Sequence, residues 1–292
     1  DERIVVLDAD LSGSTKSGIF GKACPERFLN VGIAESNMVG MAAGLASVGK
    51  IPFVNTFTVF LTTLGLCAAR AFGSYSQLPI KFAGAYGGMS DAFDGPSHHA
   101  LEDIAVMRSL ANVQVFVPCD AVQTEWLVKY AIDTPKPIYL RLSRDKFKDL
   151  YTSETEFAPG KGIVVREGTD ITVIACGLMV GNAIDAAEEL AKEGISVRVV
   201  DMFSIKPIDE ALIVRCAKET GAIVSAEEHN IYGGLGSAVA EVLTKHGCGV
   251  TQGFVGVNDC HGECGPYKKL LAKYGLDENA IANKVRETLA KK

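Results

Sequence analysis

The sequence contains no long hydrophobic run and no excess of positive charge. Its most apolar stretch, residues 54–66, is interrupted by Asn55 and by several Thr and Gly residues, so it falls short of the ~18 consecutive apolar residues that a membrane span requires. The 29 Lys and Arg against 35 Asp and Glu leave a net charge of −6, with no basic stripe. We therefore expect neither a membrane protein nor one that binds the phosphate backbone of nucleic acids.

The sequence also lacks a secretory signal and a dense cysteine framework. Its eight cysteines are scattered, mostly within apolar segments, which predicts reduced thiols in a cytoplasmic protein. Cys260, His261 and Cys264 lie close enough in sequence to begin a metal site. A closed zinc site needs about four ligands, and no second Cys/His pair supplies the others. We interpret this segment as a polar loop and predict no metal site made by the chain alone.

Short apolar segments alternate with helical patterns along the whole chain. Residues 3–8 are typical of a buried strand, and the apolar positions between residues 32 and 49 recur at helical spacing. This alternation predicts mainly parallel sheets covered by helices on both faces. A polar segment, residues 145–161, separates two such series. We predict two doubly wound α/β domains, residues 1–150 and 160–292, in line with ~150 residues per domain.

The common nucleotide-binding and nucleophile motifs are absent or incomplete. Gly233–Gly236 (GGLG) opens a predicted helix after a strand and partly imitates a dinucleotide fingerprint. However, Val239 stands where that fingerprint has Gly or Ala, and no acidic residue follows at the right distance. No GxxxxGK(S/T) loop and no GxSxG elbow occur. We interpret the glycines as a tight turn with close helix packing.

Four short motifs carry residue types suited to chemistry. Glu35 begins an otherwise apolar helix, where the helix dipole favours a carboxylate. Residues 55–60 (NTFTVF) contain two aromatics three positions apart, residues 94–98 (DGPSH) lie in a glycine-rich stretch, and residues 142–144 (LSR) end a strand. Each motif alone is weak, because Glu35 could face solvent and the two phenylalanines could simply pack in the core.

In this order and spacing, the motifs resemble those of the transketolase family over essentially the whole chain. The match is to the pyrimidine-binding domain followed by the C-terminal domain. Residues 201–207 (DMFSIKP), 227–229 (EEH) and 259–265 (DCHGECG) agree with it in the second half. The resemblance implies an enzyme of the pentose phosphate pathway that uses thiamine diphosphate to transfer a two-carbon ketol unit between sugar phosphates, with the cofactor carrying the difficult chemistry.

The resemblance also implies roles for the residues around the cofactor. Glu35 matches the catalytic carboxyl that hydrogen-bonds N1′ of the aminopyrimidine and favours its imino tautomer. Phe57 and Phe60 match the aromatics that surround the pyrimidine ring. Thr63 stands where many relatives have a further aromatic residue.

A second group of residues is implied for the substrate. Ser14 and Arg144 match residues that bind the substrate phosphate, for which the fork of guanidinium donors is well suited. Asp94 and His98 match the loop that meets the sugar hydroxyls, and we count His98 among the catalytic residues. A histidine of the family that precedes this loop is replaced by Tyr86 or a neighbouring Gly.

Half of the cofactor site has no counterpart in the sequence. Full-length transketolases carry a GDG motif that holds Mg²⁺ and the diphosphate, and no GDG occurs here. Mg²⁺ prefers phosphate oxygens together with one or two carboxylates. The resemblance therefore implies that the diphosphate and Mg²⁺ are held mainly by an N-terminal partner subunit. The chain is then the C-terminal subunit of a split transketolase, or part of a longer one, and forms a homodimer core within a heterotetramer that is inactive without its N-terminal half.

Other functions remain open at this stage. A 1-deoxyxylulose-5-phosphate synthase and the β subunit of a 2-oxoacid dehydrogenase share the helix-borne glutamate, although residues 94–108 (DGPSHHALEDIAVMR) and the NTFTVF segment favour transketolase. From another class, the chain could be a non-catalytic α/β binding or regulatory module with Glu35 exposed. The second domain offers no clear catalytic residue, and we interpret Glu227 and His229 as structural.

Overall fold

The computed structural model describes residues 1–292 and contains two mainly parallel sheets. The first sheet takes six strands from the first half of the chain: β1 (Ile4–Asp8), β2 (Phe28–Asn30), β3 (Ile51–Phe57), β4 (Lys81–Ala85), β5 (Gln114–Phe116) and β6 (Ile138–Arg141). All of them are parallel, in the spatial order β5-β6-β4-β3-β1-β2. Their carboxyl ends therefore meet along one edge.

Helices connect these strands and cover the sheet. They are α1 (Ser12–Thr15), α2 (Gly18–Ala23), α3 (Glu35–Ser47), α4 (Thr58–Thr63), α5 (Leu66–Ala68), α6 (Asp103–Ser109) and α7 (Ala121–Asp133). The pattern over residues 56–70 predicts one long helix, whereas the structure has α4, α5 and a π-helical segment, Ala69–Tyr75. All five residues of β4 are buried, as is usual for a parallel strand covered on both faces.

The second sheet is built from the second half of the chain. Its strands are β7 (Ile163–Arg166), β8 (Ile171–Ala175), β9 (Val197–Asp201), β11 (Ala222–Asn230) and β12 (Thr251–Val257), in the order β12-β11-β8-β9-β7 with β7 antiparallel. Its helices are α8 (Leu178–Lys192), α9 (Glu210–Thr220), α10 (Leu235–Lys245), α11 (Tyr267–Lys273) and α12 (Glu278–Leu289). None of the helices in the protein combines the length and the apolar character that a membrane crossing requires.

The predicted fold class, two doubly wound α/β domains, is confirmed. Helix α9 lies where no element is predicted, although its ends carry readable signals: Asp209 accepts a hydrogen bond from the Leu212 N–H at 3.0 Å, and Gly221 ends the helix at φ 67°. Strands β2 and β7 are also additional, and both are short.

One further strand crosses between the halves of the chain. Strand β10 (Ser204–Lys206) follows β9, yet it pairs antiparallel with β5 at the edge of the first sheet. Phe203, just before β10, stacks against Phe116 with ring centroids 6.3 Å apart. A division of the chain at residues 150–160 thus separates the two sheets except for this strand.

The segment between the halves is held by two buried aspartates. Asp201 accepts hydrogen bonds from Gln123 Nε2 and from the Tyr151 hydroxyl, both at 2.8 Å. Asp120 caps α7 by accepting from the Gln123 N–H at 2.8 Å, and also accepts from the N–H groups of Leu150 and Tyr151 at 3.0 and 2.9 Å. The connecting segment is therefore fixed against both sheets. Burial raises the pKa of Asp201 to about 6.

We expect Asp201→Asn to gain stability relative to the wild type as the pH rises. Because the pKa of Asp201 in the folded state, about 6, lies above its ordinary value of 3.8, the folded state holds the proton more tightly. That contribution is present at low pH and is lost as the pH rises through 6. Between pH ~5 and ~8, the difference in unfolding free energy between variant and wild type should shift by about 1 kcal/mol in favour of the variant.

Urea unfolding of both proteins across this range measures the shift. Asp145→Asn, which removes an exposed carboxylate from the same connecting segment, controls for the loss of one charge. Parallel pH profiles for Asp201→Asn and the wild type would contradict this account.

Candidate functional site at the carboxyl edge of the first sheet

The predicted site residues all follow the carboxyl ends of strands in the first sheet. In open α/β sheets this edge is the usual place for ligands. The residues are distributed as follows: Ser14 after β1, Glu35 after β2, Phe57 and Phe60 at the end of β3, Asp94 and His98 after β4, and Arg144 after β6. The parallel arrangement alone therefore gathers side chains that lie far apart in sequence.

Glu35 is buried rather than exposed to solvent. It is the first residue of α3, and only 3% of its surface is accessible. Its Oε1 accepts a hydrogen bond from the Thr56 hydroxyl of β3 at 3.2 Å, and the buried side chain of Met38 lies one turn further along the helix. Oε2 has no hydrogen-bond partner within the chain. A buried carboxylate with one free oxygen is a ready partner for a ligand N–H.

Four rings form a cluster beside this region; we call Phe57, Phe60, Tyr86 and His98 the ring cluster. Phe57 stacks on Tyr86 with centroids 4.4 Å apart and lies 5.9 Å from Phe60. His98 meets Phe60 and Phe57 edge-on at 5.3 and 6.0 Å. Phe57 is buried, whereas the other three are half-buried. The cluster thus keeps partly open ring faces against which a planar ligand can stack.

Arg144 also contacts the ring cluster and is held by an aspartate. Its guanidinium lies 5.1 Å from the centre of the Tyr86 ring, and Nη1 donates to Asp91 Oδ1 at 2.5 Å. Asp91 is completely buried, and its Oδ2 has no hydrogen-bond partner. Burial and the nearby charge of Asp94 raise the pKa of Asp91. About half of the Arg144 side chain remains exposed, so part of its donor fork still faces outward.

Asp91 is a site residue that the sequence does not reveal. It lies in the glycine-rich loop, residues 86–99, together with Asp94 and His98. Oxygen atoms of the two aspartates and a ring nitrogen of His98 lie within 4.8 Å of one another. Nothing in the local sequence distinguishes Asp91 from its neighbours, because its importance arises from an ion pair with a residue 53 positions away.

The structure does not join Ser14 to the other predicted residues. Ser14 lies on α1, in a loop organised by the buried carboxylate of Asp8, which accepts from the Leu11 N–H and from the hydroxyls of Thr15 and Ser17. The Ser14 hydroxyl itself makes no hydrogen bond, and the residue is half-buried at the same edge of the sheet. The assignment of Ser14 to the substrate therefore stays a prediction.

In the second half of the chain, the EEH segment makes structural contacts. The Glu227 carboxylate accepts from the N–H groups of Leu235 and Gly236 at 2.6 and 2.8 Å and so caps α10, which explains the GGLG turn. His229 Nδ1 is 2.7 Å from the Asn230 carbonyl, and Nε2 accepts from the Ala105 N–H at 3.4 Å. This pattern assigns the proton to Nδ1. Both residues are thereby engaged in holding the fold.

The Cys260, His261 and Cys264 segment does not gather metal ligands. Cys260 and Cys264 are exposed free thiols, and the one group of three side chains with ligand atoms close together is Asp91, Asp94 and His98. In that group, Arg144 already neutralises Asp91.

Comparison with known proteins agrees with this geometry. Residues 1–149 match the family model of the transketolase pyrimidine-binding domain, and residues 160–281 match that of the transketolase C-terminal domain. A putative transketolase C-terminal section from Methanocaldococcus jannaschii is 41% identical over 292 residues, covering 99% of this chain and 92% of that protein.

Two further relatives extend the comparison. A 6-deoxy-6-sulfo-D-fructose transketolase subunit from Clostridium sp. (strain MSTE9) is 39% identical over 292 residues, covering 100% of this chain and 90% of its own. A solved structure described as a split gene transketolase, inactive beta4 tetramer, superimposes with a TM-score of 0.92 at 48% identity, covering 99% of this chain and 93% of that one.

We expect the two phenylalanines of the ring cluster to differ in what they contribute to stability. Phe57→Ala removes a buried ring and should lower the free energy of unfolding by about 3 kcal/mol, whereas Phe60→Ala, at a half-open position, should cost about 1 kcal/mol. Urea unfolding measures both. Tyr75→Ala, at an aromatic residue that is 85% exposed, serves as a control and should change little. Equal losses at the two phenylalanines would show that Phe60 is an ordinary core residue without a face for a ligand.

Proposed function

The chain belongs to the transketolase family, and from this premise we propose that it supplies the pyrimidine-binding half of a thiamine-diphosphate-dependent transketolase. In this proposal it transfers a two-carbon ketol unit between sugars that carry an anionic group, when assembled with a diphosphate-binding partner. The observation that carries the proposal is the buried Glu35 carboxylate, whose free oxygen lies at the same sheet edge as the partly open ring cluster.

The residues at this edge suit the pyrimidine end of thiamine diphosphate. Oε2 of Glu35 has no partner within the chain and can bond N1′ of the aminopyrimidine. Phe60 offers a partly open ring face to the pyrimidine, and the buried ring of Phe57 supports Phe60 from behind. When bound, the cofactor supplies the nucleophilic carbon and the electron sink for ketol transfer. The task of Glu35 is to hold a proton at N1′, and the hydroxyl of Thr56 keeps the carboxyl in place for it.

We assign the remaining predicted residues to the substrate. His98 lies at the edge of the ring cluster, beside Asp94, with Nδ1 2.9 Å from the Ser97 hydroxyl. From there His98 can exchange a proton with a sugar hydroxyl, and the Asp94 carboxylate can accept from one. Arg144, oriented by Asp91, presents its outer donors to the anionic group, and Ser14 assists from α1.

The anionic group need not be a phosphate. One relative is described as a transketolase subunit for a 6-deoxy-6-sulfo sugar, in which a sulfonate carries the charge. In this chain, the buried Asp91 already offsets part of the charge of Arg144. We therefore assign to Arg144 the recognition of a terminal anion, phosphate or sulfonate, rather than of phosphate alone.

The face around Glu35 is suited to contact with another subunit. Ile33, two residues before Glu35, is 83% exposed, Leu64 is 57% exposed, and Phe93 of the glycine-rich loop is 69% exposed. The hydroxyl of Ser36, next to Glu35, donates to the Leu64 carbonyl, which places part of this apolar surface beside the site. Exposed apolar patches of this kind mark interfaces.

We propose that the occupants of this face are a second copy of the chain and an N-terminal subunit that holds the diphosphate and Mg²⁺, so that the chain alone is inactive. A homodimer core within a heterotetramer satisfies both contacts. Support comes from the solved relative, which is described as an inactive tetramer of β chains.

The test is to assemble the chain with the N-terminal, GDG-bearing subunit of a split transketolase. Thiamine diphosphate and Mg²⁺ should bind only to the pair, and ketol transfer from xylulose 5-phosphate to ribose 5-phosphate should then appear. Glu35→Ala should abolish this activity, and Glu35→Gln should lower kcat by a factor on the order of 10² to 10⁴, because an amide cannot exchange the proton. Calorimetry should show that the cofactor still binds to both variant pairs.

Glu189→Gln, which removes an exposed carboxylate from α8, is the matched control and should leave kcat unchanged. A cofactor-loaded Glu35→Ala pair with full activity would contradict the mechanism. Condensation of pyruvate with glyceraldehyde 3-phosphate would assign the chain to the synthase instead. A stable pair that binds no cofactor would favour a non-catalytic module.

We also expect Arg144→Ala to affect charged acceptors selectively. Loss of hydrogen bonds to an anion should raise KM for a phosphorylated or sulfonated acceptor by about 10- to 100-fold, while KM for a small uncharged hydroxyaldehyde stays within about twofold. Steady-state kinetics of the assembled enzyme measure both. Lys146→Ala, two residues away and exposed, is the control. An equal rise in KM for charged and uncharged acceptors would rule out anion recognition by Arg144.

A further inference from the structure

We propose that the second domain positions the glycine-rich loop for substrate binding, and that Glu228 is the residue through which it does so. The inference rests on the proposed function, because the loop carries Asp94 and His98. It assigns a task to a domain in which the sequence reveals no catalytic residue.

Glu228 lies directly against the main chain of the loop. It is almost completely buried in β11, and its Oε1 accepts a hydrogen bond from the Met89 N–H at 2.7 Å. The fit leaves no spare room at Gly88. A Cβ there would lie 2.2 Å from the carboxyl carbon of Glu228, and Gly88 has φ +69°, a conformation that side chains disfavour. The loop therefore reaches this carboxylate only because glycine precedes Met89.

A second segment of the same domain supports the loop further along. The Gly265 N–H donates to the Ala92 carbonyl at 3.0 Å. Gly262 packs so closely on His99 that a Cβ would lie 2.5 Å from Nδ1, and the Cys264 sulfur occupies the space beside Gly95. The segment around Cys260, His261 and Cys264, which gathers no metal ligands, thus has a structural task of its own.

The surroundings of Glu228 disfavour its ionised form. Arg141 of β6, Asp103 of α6 and Tyr267 of α11 face it, and Arg141 also donates to the Glu228 carbonyl at 2.9 Å. Burial raises the pKa of Glu228 to about 7 in spite of the favourable charge of Arg141. In surroundings of such low dielectric, the Glu228 carboxyl forms a strong hydrogen bond to its one backbone donor, at 2.7 Å. That donor belongs to the glycine-rich loop.

The first measurement is amide hydrogen exchange in the complete chain. In Glu228→Ala, the amides of residues 87–95 should exchange at least about tenfold faster than in the wild type, because the Met89 N–H loses its side-chain acceptor. In Glu228→Gln they should stay within about threefold, since the amide oxygen can still accept that bond. Unchanged exchange across the loop in Glu228→Ala would overturn the proposal.

The second measurement is kinetic, in the chain assembled with its diphosphate-binding partner. Glu228→Ala should raise KM for the sugar substrates about tenfold with less effect on kcat, should leave cofactor affinity within about twofold, and should be rescued by Glu228→Gln. Faster loop exchange without any change in KM, in an active enzyme, would overturn the positioning role.

A milder variant covers the case in which Glu228→Ala fails to fold. Gly262→Ala leaves the buried charged residues unchanged, but its Cβ would clash with the His99 ring. It should therefore speed amide hydrogen exchange at residues 97–99 and raise KM for the sugar substrates. Gly249→Ala is its control, because a Cβ there would meet no atom within 4 Å. Should the wild-type pair show no ketol transfer, the proposed function fails, and the exchange measurements alone decide whether the second domain holds the loop.

Discussion

The buried ion pair between Arg141 and Asp103 holds in place a guanidinium that joins the first domain to the second. Arg141 donates to the Asp103 carboxylate through Nε and Nη2 at 2.7 and 3.1 Å, and Nη2 also donates to the carbonyls of Ala100 and Glu228. The Tyr139 hydroxyl donates a further hydrogen bond to the Asp103 carboxylate at 2.7 Å. Both charges are almost entirely buried. Loss of one partner from such a pair typically costs ~3–5 kcal/mol, because the other is left uncompensated.

This pair also explains how the second domain comes to lie against the loop that carries Asp94 and His98. Strand β6 ends at Arg141, whose side chain turns towards the second domain, and three residues later Arg144 turns towards the glycine-rich loop. The same strand end therefore anchors the interface and supplies a predicted ligand-binding residue. Because Gly87 packs closely on the Arg141 side chain, the start of the loop is fixed by the interface before any ligand is present.

The sequence predicts those parts of the site that depend on local patterns. Glu35, Phe57 and Arg144 stand in short motifs at strand or helix ends, and the parallel sheet brings them to one edge. Local patterns do not identify Asp91 or Glu228, because each bonds to a partner far away in the sequence. Asp91 and Arg144 are 53 positions apart, and Glu228 and Met89 are 139 positions apart. The α/β alternation likewise predicts the fold class, whereas strands of three or four residues such as β2 and β10 are too short to show a period.

The surroundings of Glu35 show that the proposed assembly would do more than supply the residues that bind the diphosphate. In the isolated chain its carboxylate has one internal hydrogen bond, and the exposed apolar residues Ile33 and Leu64 lie near it. Covering that surface with a second subunit removes water from the approach, and electrostatic interactions strengthen as the local dielectric falls. In the proposed assembly, a hydrogen bond from Glu35 to the pyrimidine and the attraction of Arg144 for an anion would both be strengthened by this exclusion of water. In the proposed assembly, the partner thus supplies the diphosphate-binding half of the cofactor site. It also excludes water from the region in which the residues of this chain act.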